Sequence, residues 1–216
     1  MHYVRTMARR AKAISSSHDE ALRAAAEMGD LAGVKRALEQ GAQIGGADKT
    51  TGYTALHLAA RDGHASVVKL LLARGAPIEA ALAAAKSTPL ALAVQDRRRR
   101  IVSLLLDAGA NPNVLHGRLR TSPLHDAADA EDEKLVALLL AAGANPNLKN
   151  GDGATVLQQF IWLAGERKKA RAIAMVRALL AGGADPKPAL KRGVMGLDPN
   201  DVMSALRPLL EGAQAR

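Results

Sequence analysis

Cysteine is absent from the 216-residue chain, and only four residues are phenylalanine, tryptophan or tyrosine. The lack of cysteine excludes disulfide scaffolds, thiolate metal sites and cysteine nucleophiles. So few aromatic residues argue against a core built on aromatic anchors, and against a nucleic-acid surface that stacks bases on rings. The longest run without a charged residue, Leu135 to Leu148, has 14 residues, fewer than the ~18 of a membrane-spanning helix.

Catalytic and phosphate-binding motifs are also missing. The chain has six histidines, but it has no H-x-x-x-H zinc pair, no Gly-Lys-Ser/Thr phosphate loop and no G-x-S-x-G nucleophile elbow. His116, beside Gly117, is left without an explanation. We predict that the protein is not an enzyme, holds no cofactor or metal, and takes no small-molecule substrate.

A repeat dominates what is present. Gly-Ala pairs recur at a constant spacing, at Gly41, Gly75, Gly109 and Gly143, and once more after a longer interval at Gly183. A second marker keeps the same register, with the segments beginning at Thr54, Thr88, Ser122 and Thr155 reading TALH, TPLA, SPLH and TVLQ. A fixed period of 20–50 residues indicates a repeat array, and about 33 residues with T-P-L-H is the ankyrin period.

At these residues the sequence resembles the ankyrin repeat family. The best unit runs from Gly52 to His64 and continues from Val67 to Ala76, and the resemblance covers roughly Glu20 to Pro186 with a weaker last unit to about Leu210. It implies units of two antiparallel helices with a β-hairpin-like finger between units, stacked into a solenoid. It also implies that His57 and His125 hold the turn from finger to helix.

The residues support this fold independently. Thr54, Thr88, Ser122 and Thr155 each precede an apolar stretch, where a hydroxyl can satisfy free N–H groups of a helix. Each leucine triplet that starts at Leu70, Leu104 and Leu138 ends three residues before a glycine, as a left-handed helix C-cap requires. No single unit can bury its own apolar face, so neighbouring units must cover it.

We therefore predict an all-α dominated repeat solenoid of about five ankyrin-type helix-turn-helix repeats with short β-hairpin fingers and a degenerate C-terminal cap. A basic N-terminal arm occupies residues 1–17, and the solenoid occupies 18–186. Its units are about 18–47, 48–79, 80–113, 114–147 and 148–186, and the first of them, which has no finger before it, is predicted to be an N-terminal cap. The C-terminal capping segment is 187–216, in which the stripe from Val202 to Leu210 is expected to cover the last repeat.

Three features depart from the repeat pattern. Lys86 and Arg120 stand where Gly52 stands in the second unit, which predicts irregular fingers in units three and four. Unit five has seven surplus residues within about 161–172, which form either a longer first helix or a protruding loop. Such insertions often map to a binding side, but a neutral extension is an equal alternative.

The resemblance also implies a binding face, because ankyrin domains typically bind proteins with their finger tips and the exposed positions of their first helices. Tyr53 and Trp162 matter most here, since Tyr, Trp and Arg dominate binding hot spots. Trp162 is either exposed, as its alignment with Arg61 implies, or packed under the insertion. The predicted concave-face residues are Thr51, Tyr53, Arg61, Asp62, Lys86, Ser87, Gln95, Asp96, Arg118, Arg120, Thr121, Asp129, Ala130, Asp152, Ala154, Trp162 and Leu163.

Basic residues are concentrated in two loops and in the N-terminal arm. Arg97, Arg98, Arg99 and Arg100 fall between the helices of unit three, where cations oppose the helix dipole. With Arg167, Lys168 and Lys169 they could bind anions. The alternative is a ladder of ion pairs, because a shift by one repeat places Arg97–Arg99 opposite Glu131, Asp132 and Glu133, which Arg167–Lys169 then flank.

These features favour a non-enzymatic scaffold that binds a partner protein through the concave face as an inhibitor, adaptor or immunity-type protein. The alternative is a binder of nucleic acid or phospholipid that uses the basic loops and the arm. We expect a cytoplasmic location, with a secreted bacterial effector as an alternative. The arm over residues 1–17 contains no acidic side chain and loosely resembles a mitochondrial presequence.

Overall fold

A computed structural model describes residues 17–162, 169–191 and 202–214. By its internal contacts the chain divides into two compact units, residues 1–110 (the first unit) and 111–216 (the second unit), and each is described by itself. The names unit one to unit five are kept for the single repeats. The helices of the first unit are α1 (17–28), α2 (Leu31–Glu39), α3 (Ala55–Asp62), α4 (Ala65–Ala73), α5 (Pro89–Gln95) and α6 (Arg99–Asp107). Those of the second are α7 (Pro123–Asp129), α8 (Glu133–Ala141), α9 (Val156–Trp162), α10 (Lys169–Ala181), α11 (Lys187–Lys191) and α12 (Val202–Gln214).

Helices pair within a repeat and stack between repeats. In the first unit α3 packs on α4 within its repeat and on α5 of the next, and α4 packs on α6. In the second unit α7 packs on α8 and α9, and α8 packs on α10. First helices thus stack on first helices and second on second, which confirms the predicted repeat architecture. Within the described residues the extended pairing is limited to two isolated bridges, His116–Thr121 and Lys149–Thr155.

The core repeats with the sequence. The middle residue of each leucine triplet is fully buried, at Leu71, Leu105 and Leu139. Small residues fill one matching position of the first helices, where Ala59, Ala93 and Ala127 are also fully buried. Small side chains let first helices approach closely, so a chain with few aromatic residues still builds a packed core.

The predicted helix boundaries are confirmed. Thr54, Thr88, Ser122 and Thr155 each stand directly before a first helix, and the Thr88 hydroxyl accepts a hydrogen bond from the Ala91 N–H at 3.3 Å. Gly75, Gly109 and Gly143 follow the second helices with φ of 79°, 90° and 85°, the left-handed conformation that glycine adopts without strain.

The irregularity of the fingers at Lys86 and Arg120 stays a prediction, although the backbone there has the same sign of φ as at Gly52. Both residues take positive φ, 54° and 49°, as Gly52 does at 80°. In unit three the Leu82 N–H donates to the Ser87 carbonyl at 3.0 Å, and unit two has the same bond from Asp48 to Tyr53 at 2.8 Å. A non-glycine residue spends roughly 1–2 kcal/mol in this conformation, and the hydrogen bonds of the turn compensate for it.

The insertion and the cap are only partly described. Residues 163–168 and 192–201 lie outside the described residues. Helix α10 has 13 residues against nine in α8, so part of the surplus in unit five lengthens the second helix. Helix α12 packs on α10 and buries Leu206 and Leu210, as the predicted capping stripe requires.

Candidate functional site

A groove of about 730 Å³ lies in the first unit between α1, α3 and the finger over residues 47–53. Charged side chains of both signs line it together with Ala24, Ala47 and Leu58. The acids come chiefly from α1, and the finger contributes hydroxyl groups. The lining residues are Asp19, Glu20, Arg23, Ala24, Glu27, Ala47, Asp48, Lys49, Thr50, Thr51, Tyr53, Leu58 and Arg61.

Tyr53 stands at the point where the finger meets α3. Its half-buried ring meets the His57 ring edge to face, with 5.9 Å between ring centroids. The Arg61 guanidinium lies 5.6 Å from the centroid of the Tyr53 ring, within the range of a cation–π contact. Tyr53 is therefore held by neighbours on its own repeat and presents the rest of its ring to the groove.

Arg61 ties α3 to α1. Its guanidinium donates two hydrogen bonds of 2.9 Å to the Asp62 carboxylate and one of 2.8 Å to Glu27 of the preceding repeat. The hydrogen bonds to Asp62 raise the pKa of Arg61, and the same contacts lower the pKa of Asp62. A bidentate guanidinium is geometrically fixed, so Arg61 enters the groove in one orientation.

The finger is ordered by Asp48. Its carboxylate accepts hydrogen bonds from the N–H groups of Thr50 and Thr51 at 3.0 and 2.7 Å, and from the Thr51 hydroxyl at 2.8 Å. The hydrogen bonds from Thr51 are the main cause of the lowered pKa of Asp48. Arg23 of α1 reaches the Gly46 carbonyl at 3.2 Å. The finger is thus fastened to both its own turn and the preceding helix.

His57 supports the groove from beneath and links two repeats. Its Nδ1 lies 2.9 Å from the Thr54 hydroxyl and 3.3 Å from the Thr54 N–H, and its Nε2 lies 3.2 Å from the Ser87 carbonyl of the next finger. His125 makes the same contacts with Ser122 and the Ala154 carbonyl. The role implied for both histidines is confirmed.

The family model described as ankyrin repeats, in three copies, matches residues 21–116 and 81–150. These matches together span more than half of the chain. The chain belongs to the ankyrin repeat family. Ankyrin repeats are in general modules of protein–protein interaction. A comparison with curated proteins finds no match.

The groove contains part of the binding face implied by the ankyrin resemblance. Thr51, Tyr53 and Arg61 line it, whereas Asp62 does not line it and is paired with Arg61. Lys86, Gln95 and Asp96 are exposed in the first unit and do not line the groove. In the second unit the exposed predicted residues are Arg118, Arg120, Asp129 and Asp152.

The predicted exposure of two binding residues is wrong, and the structure decides between the two alternatives for Trp162. Ser87 and Ala154 are buried, because each precedes a helix N-cap and gives its carbonyl to a histidine of the preceding repeat. Trp162 is 46% exposed, so the alternative in which it packs away under the insertion is wrong. Leu163 lies outside the described residues.

Sequence reasoning misses the contribution of α1. The first repeat is predicted to act only as a cap, yet Asp19, Glu20 and Arg23 line the groove. The repeat register carries a signal for this, since Glu27 and Arg61 occupy the same position in consecutive repeats and their side chains pair at 2.8 Å.

The four consecutive arginines differ in role. Arg98 precedes α6 without capping it, and its Nε donates to the Arg61 carbonyl at 2.9 Å. His64 occupies the same repeat position and approaches the Glu27 carbonyl at 2.8 Å. Arg98 thus links two repeats through this bond, and its possible role in anion binding stays a prediction. Arg97, Arg99 and Arg100 are exposed.

The ion-pair ladder between repeats stays a prediction. Asp132 is buried and caps α8 by accepting a hydrogen bond from the Leu135 N–H at 3.1 Å. Glu131 lies 3.8 Å from Arg171, so one acidic-to-basic step within the second unit is present with a different basic residue. Arg167 and Lys168 lie outside the described residues, and of Lys169 only the backbone is described.

His116 belongs to the finger of unit four, and its side chain is fully buried. Its Nε2 is 3.3 Å from the Asp126 carboxylate, without the alignment of a hydrogen bond. Burial lowers the pKa of His116, and the Asp126 charge opposes this in part. The described part of the chain contains no cluster of three or more His, Asp or Glu side chains suited to a metal ion. Over the same residues, no helix has the length and apolar character needed to cross a bilayer.

Proposed function

We propose that this ankyrin repeat protein is a non-enzymatic adaptor or inhibitor that binds a partner protein through the groove of its first unit. The observation that carries the proposal is the arrangement of Tyr53 and Arg61. Both lie in one groove, in contact with each other, and both are fixed by neighbouring side chains. Tyr and Arg supply a large share of the energy at protein interfaces.

Preorganisation supports this role. Binding costs about 0.5–1.5 kcal/mol for each rotamer-rich side chain that must be immobilised. Here Asp62 and Glu27 already hold the Arg61 fork, and Asp48 already holds the finger. A partner that enters the groove therefore contacts side chains that are already ordered in the folded chain, so binding does not have to immobilise them.

Lining charges favour a partner segment with polar side chains of mixed sign. Glu20 and Lys49 are exposed on opposite borders of the groove, on α1 and the finger. Arg61 and Asp48 already have partners within the chain, so these two border charges are more accessible to a ligand.

Site-specific cross-linking tests the proposal. Since the chain lacks cysteine, a benzophenone can be attached uniquely at Lys49→Cys on the groove, and at Lys69→Cys on the exposed side of α4 as a matched control. Incubation with lysate of the source organism at high salt should yield one cross-linked protein from position 49 and none from position 69.

The decisive variants carry Tyr53→Ala or Trp162→Ala in addition to Lys49→Cys. Tyr53→Ala should abolish the cross-link while far-ultraviolet circular dichroism stays unchanged. Trp162→Ala tests whether the second unit contributes to binding of the same partner. Equal labelling from both cysteine positions, or a cross-link that persists in folded Tyr53→Ala protein, would contradict the groove as the binding site.

A further inference from the structure

The pair Asn150-Gly151 in the finger of unit five is chemically reactive by its sequence. It is the one Asn-Gly pair in the chain. Asparagine is among the thermolabile residues of proteins, because the backbone nitrogen of the following residue can attack its side-chain amide carbon. Glycine favours this attack, since it has no side chain in the way and the most freely rotating backbone. An open chain therefore offers Asn150 for deamidation, the loss of its side-chain amide as ammonia.

Hydrogen bonds hold the Asn150 side chain in the folded protein. Its Nδ2 donates to the Gln159 Oε1 at 2.6 Å, and its Oδ1 accepts from the N–H groups of Asp152 and Ala154 at 3.0 Å each. Asn150 is buried, with 8% of its surface exposed. Deamidation expels Nδ2, so the bond to Gln159 has to break before the reaction can proceed.

The attacking nitrogen is held as well. The Gly151 N–H donates to the Leu119 carbonyl in the finger of unit four at 2.8 Å, and this is the proton that the nitrogen must lose to attack. A Cβ atom at position 151 would lie 2.8 Å from the Leu119 carbonyl oxygen, closer than real Cβ contacts allow. Glycine therefore makes Asn150 reactive in an open chain and, in the folded chain, permits the contact between fingers that restrains the reaction.

Gln159 determines which side chain fits at position 150. Its Nε2 donates to the Asp129 carboxylate, and an ionised carboxylate accepts hydrogen bonds without donating any. The Gln159 Oε1 is therefore left to face Asn150, which donates an amide N–H to it. A carboxylate at position 150 would place acceptor against acceptor, and turning Gln159 around would only move the same conflict to Asp129.

From this arrangement we propose that Asn150 is a deamidation site that the contact between the fingers of units four and five protects. When the fingers separate, the Gly151 nitrogen bonds to the Asn150 side-chain carbon, the bond from that carbon to Nδ2 breaks, and ammonia leaves with the Gly151 proton. One water molecule then opens the succinimide ring to aspartate or isoaspartate. Either product carries a new carboxylate beside Gln159, so the contact between the fingers is weakened permanently.

The test follows deamidation in the full chain at mildly alkaline pH, with and without urea. Mass spectrometry of peptides produced by digestion at acidic pH detects each amide that has become a carboxylate. In urea, Asn150 should react faster than Asn113 and Asn147, which precede valine and leucine. Without urea its rate should be at least about tenfold lower, the factor that an opening free energy of 1.4 kcal/mol produces.

A variant of Gln159 tests whether its hydrogen bond protects Asn150. Gln159→Leu removes the acceptor for Nδ2 and should raise the rate at Asn150 about tenfold without urea, while circular dichroism shows that the chain stays folded. Gln95→Leu, the same change at an exposed glutamine of the first unit, is the matched control and should leave the rate unchanged.

Substitution can also make the aspartate product directly, which tests the inference independently of the Gln159 variant. Asn150→Asp should lower the equilibrium constant for folding about tenfold in urea unfolding, because of the acceptor conflict at Gln159. Adding Asp129→Asn should restore at least half of the lost free energy of unfolding, because Gln159 can then turn, donate to the carboxylate at position 150 and accept from the amide at 129. Asp129→Asn alone completes the double-mutant cycle and should cost less than Asn150→Asp.

Three results would overturn the inference. One is a rate at Asn150 that is the same with and without urea, and another is an unchanged rate in folded Gln159→Leu protein. The third is a loss of stability in Asn150→Asp that Asp129→Asn does not relieve. None of these residues lines the groove, so the proposed partner binding is judged separately.

Discussion

One position in each first helix links that helix to the next repeat, and either histidine or glutamine can make the link. In unit five Gln158 stands where His57 and His125 stand. Its Oε1 accepts from the Thr155 N–H at 3.0 Å, and its Nε2 donates to the Pro188 carbonyl at 3.0 Å. Glutamine thus supplies the acceptor and the donor that an imidazole supplies in the other units.

This equivalence predicts the outcome of replacing His57. His57→Ala leaves the buried Thr54 N–H without a partner and removes one of the two hydrogen bonds to the Ser87 carbonyl, which should lower the free energy of unfolding by about 1–3 kcal/mol. His57→Gln should recover at least half of that loss. Urea unfolding followed by circular dichroism measures both, with exposed Lys69→Ala as the control. Equal losses for Ala and Gln would contradict the proposed exchange.

Three buried histidines also set the response to pH. Burial is the main cause that lowers the pKa of His57, His116 and His125 from the ordinary 6.5. The folded chain keeps them neutral where the unfolded chain binds protons, so the unfolded state holds more protons below pH 6.5. Stability is therefore fully present above that pH and falls as the pH drops toward the lowered values.

We expect the free energy of unfolding to be constant between about pH 7 and 8 and to fall by about 1.4 kcal/mol per pH unit for each extra proton taken up on unfolding. Urea unfolding at pH 7.5 and 5.5 measures the difference, and the titration of each imidazole by NMR identifies the group. Unchanged stability across this range, or signals of His57, His116 and His125 that titrate near 6.5 in the folded chain, would contradict the argument.

At the scale of the elements, much of the fold can be predicted because one register governs it. The constant repeat spacing places Thr54 and Ser122 before first helices and Gly75 after a second helix, and the structure has each there. Residue chemistry alone does not predict the turns at Lys86 and Arg120. Their conformation is decided by hydrogen bonds that only form once the finger is closed.

Site residues are harder to predict than elements. Ser87 stands at a finger end, which favours exposure, but a carbonyl that serves the previous repeat must be buried with its histidine partner. The acids of α1 escape prediction since that helix precedes the first complete finger. Both errors concern contacts between repeats, which local spacing does not contain.

The loops between helices show how two repeats are joined at a second point. Gly29, Gly63, Arg97 and Glu131 occupy the same position in consecutive repeats, and all have positive φ. In the first unit the residue after this turn reaches the preceding repeat, as His64 does to Glu27 and Arg98 to Arg61. Arg98 thus performs with a guanidinium what His64 performs with an imidazole.

Arg98→His should therefore be nearly neutral, whereas Arg98→Ala should lower the free energy of unfolding by about 1 kcal/mol, the usual worth of one hydrogen bond. Exposed Arg100→Ala serves as the control and should change stability little. Thermal and urea unfolding provide the measurement. If Arg98→His costs as much as Arg98→Ala, the bond to the Arg61 carbonyl does not stabilise the stack.

On the scale of the whole molecule, a formal net charge of +9 makes some attraction to polyanions inevitable, and its salt dependence tells this apart from specific binding. Arg97, Arg98, Arg99 and Arg100 are all exposed, and the Nε of Arg98 also donates to a carbonyl of the preceding repeat. Binding to such a surface should therefore draw on Arg97, Arg99 and Arg100 more than on Arg98, whose orientation is fixed by that bond.

Heparin serves as the probe for this expectation. We predict that its affinity falls steeply as salt rises, because each contact releases counterions. The triple variant Arg97→Ser, Arg99→Ser, Arg100→Ser should weaken binding at low salt and flatten the salt dependence, whereas Arg98→Ser should change the slope less. Titration calorimetry over a series of salt concentrations measures both. Tight binding that survives high salt and is lost in the triple variant would instead make the arginine loop a specific anion site, and would favour the anionic-surface function over the groove.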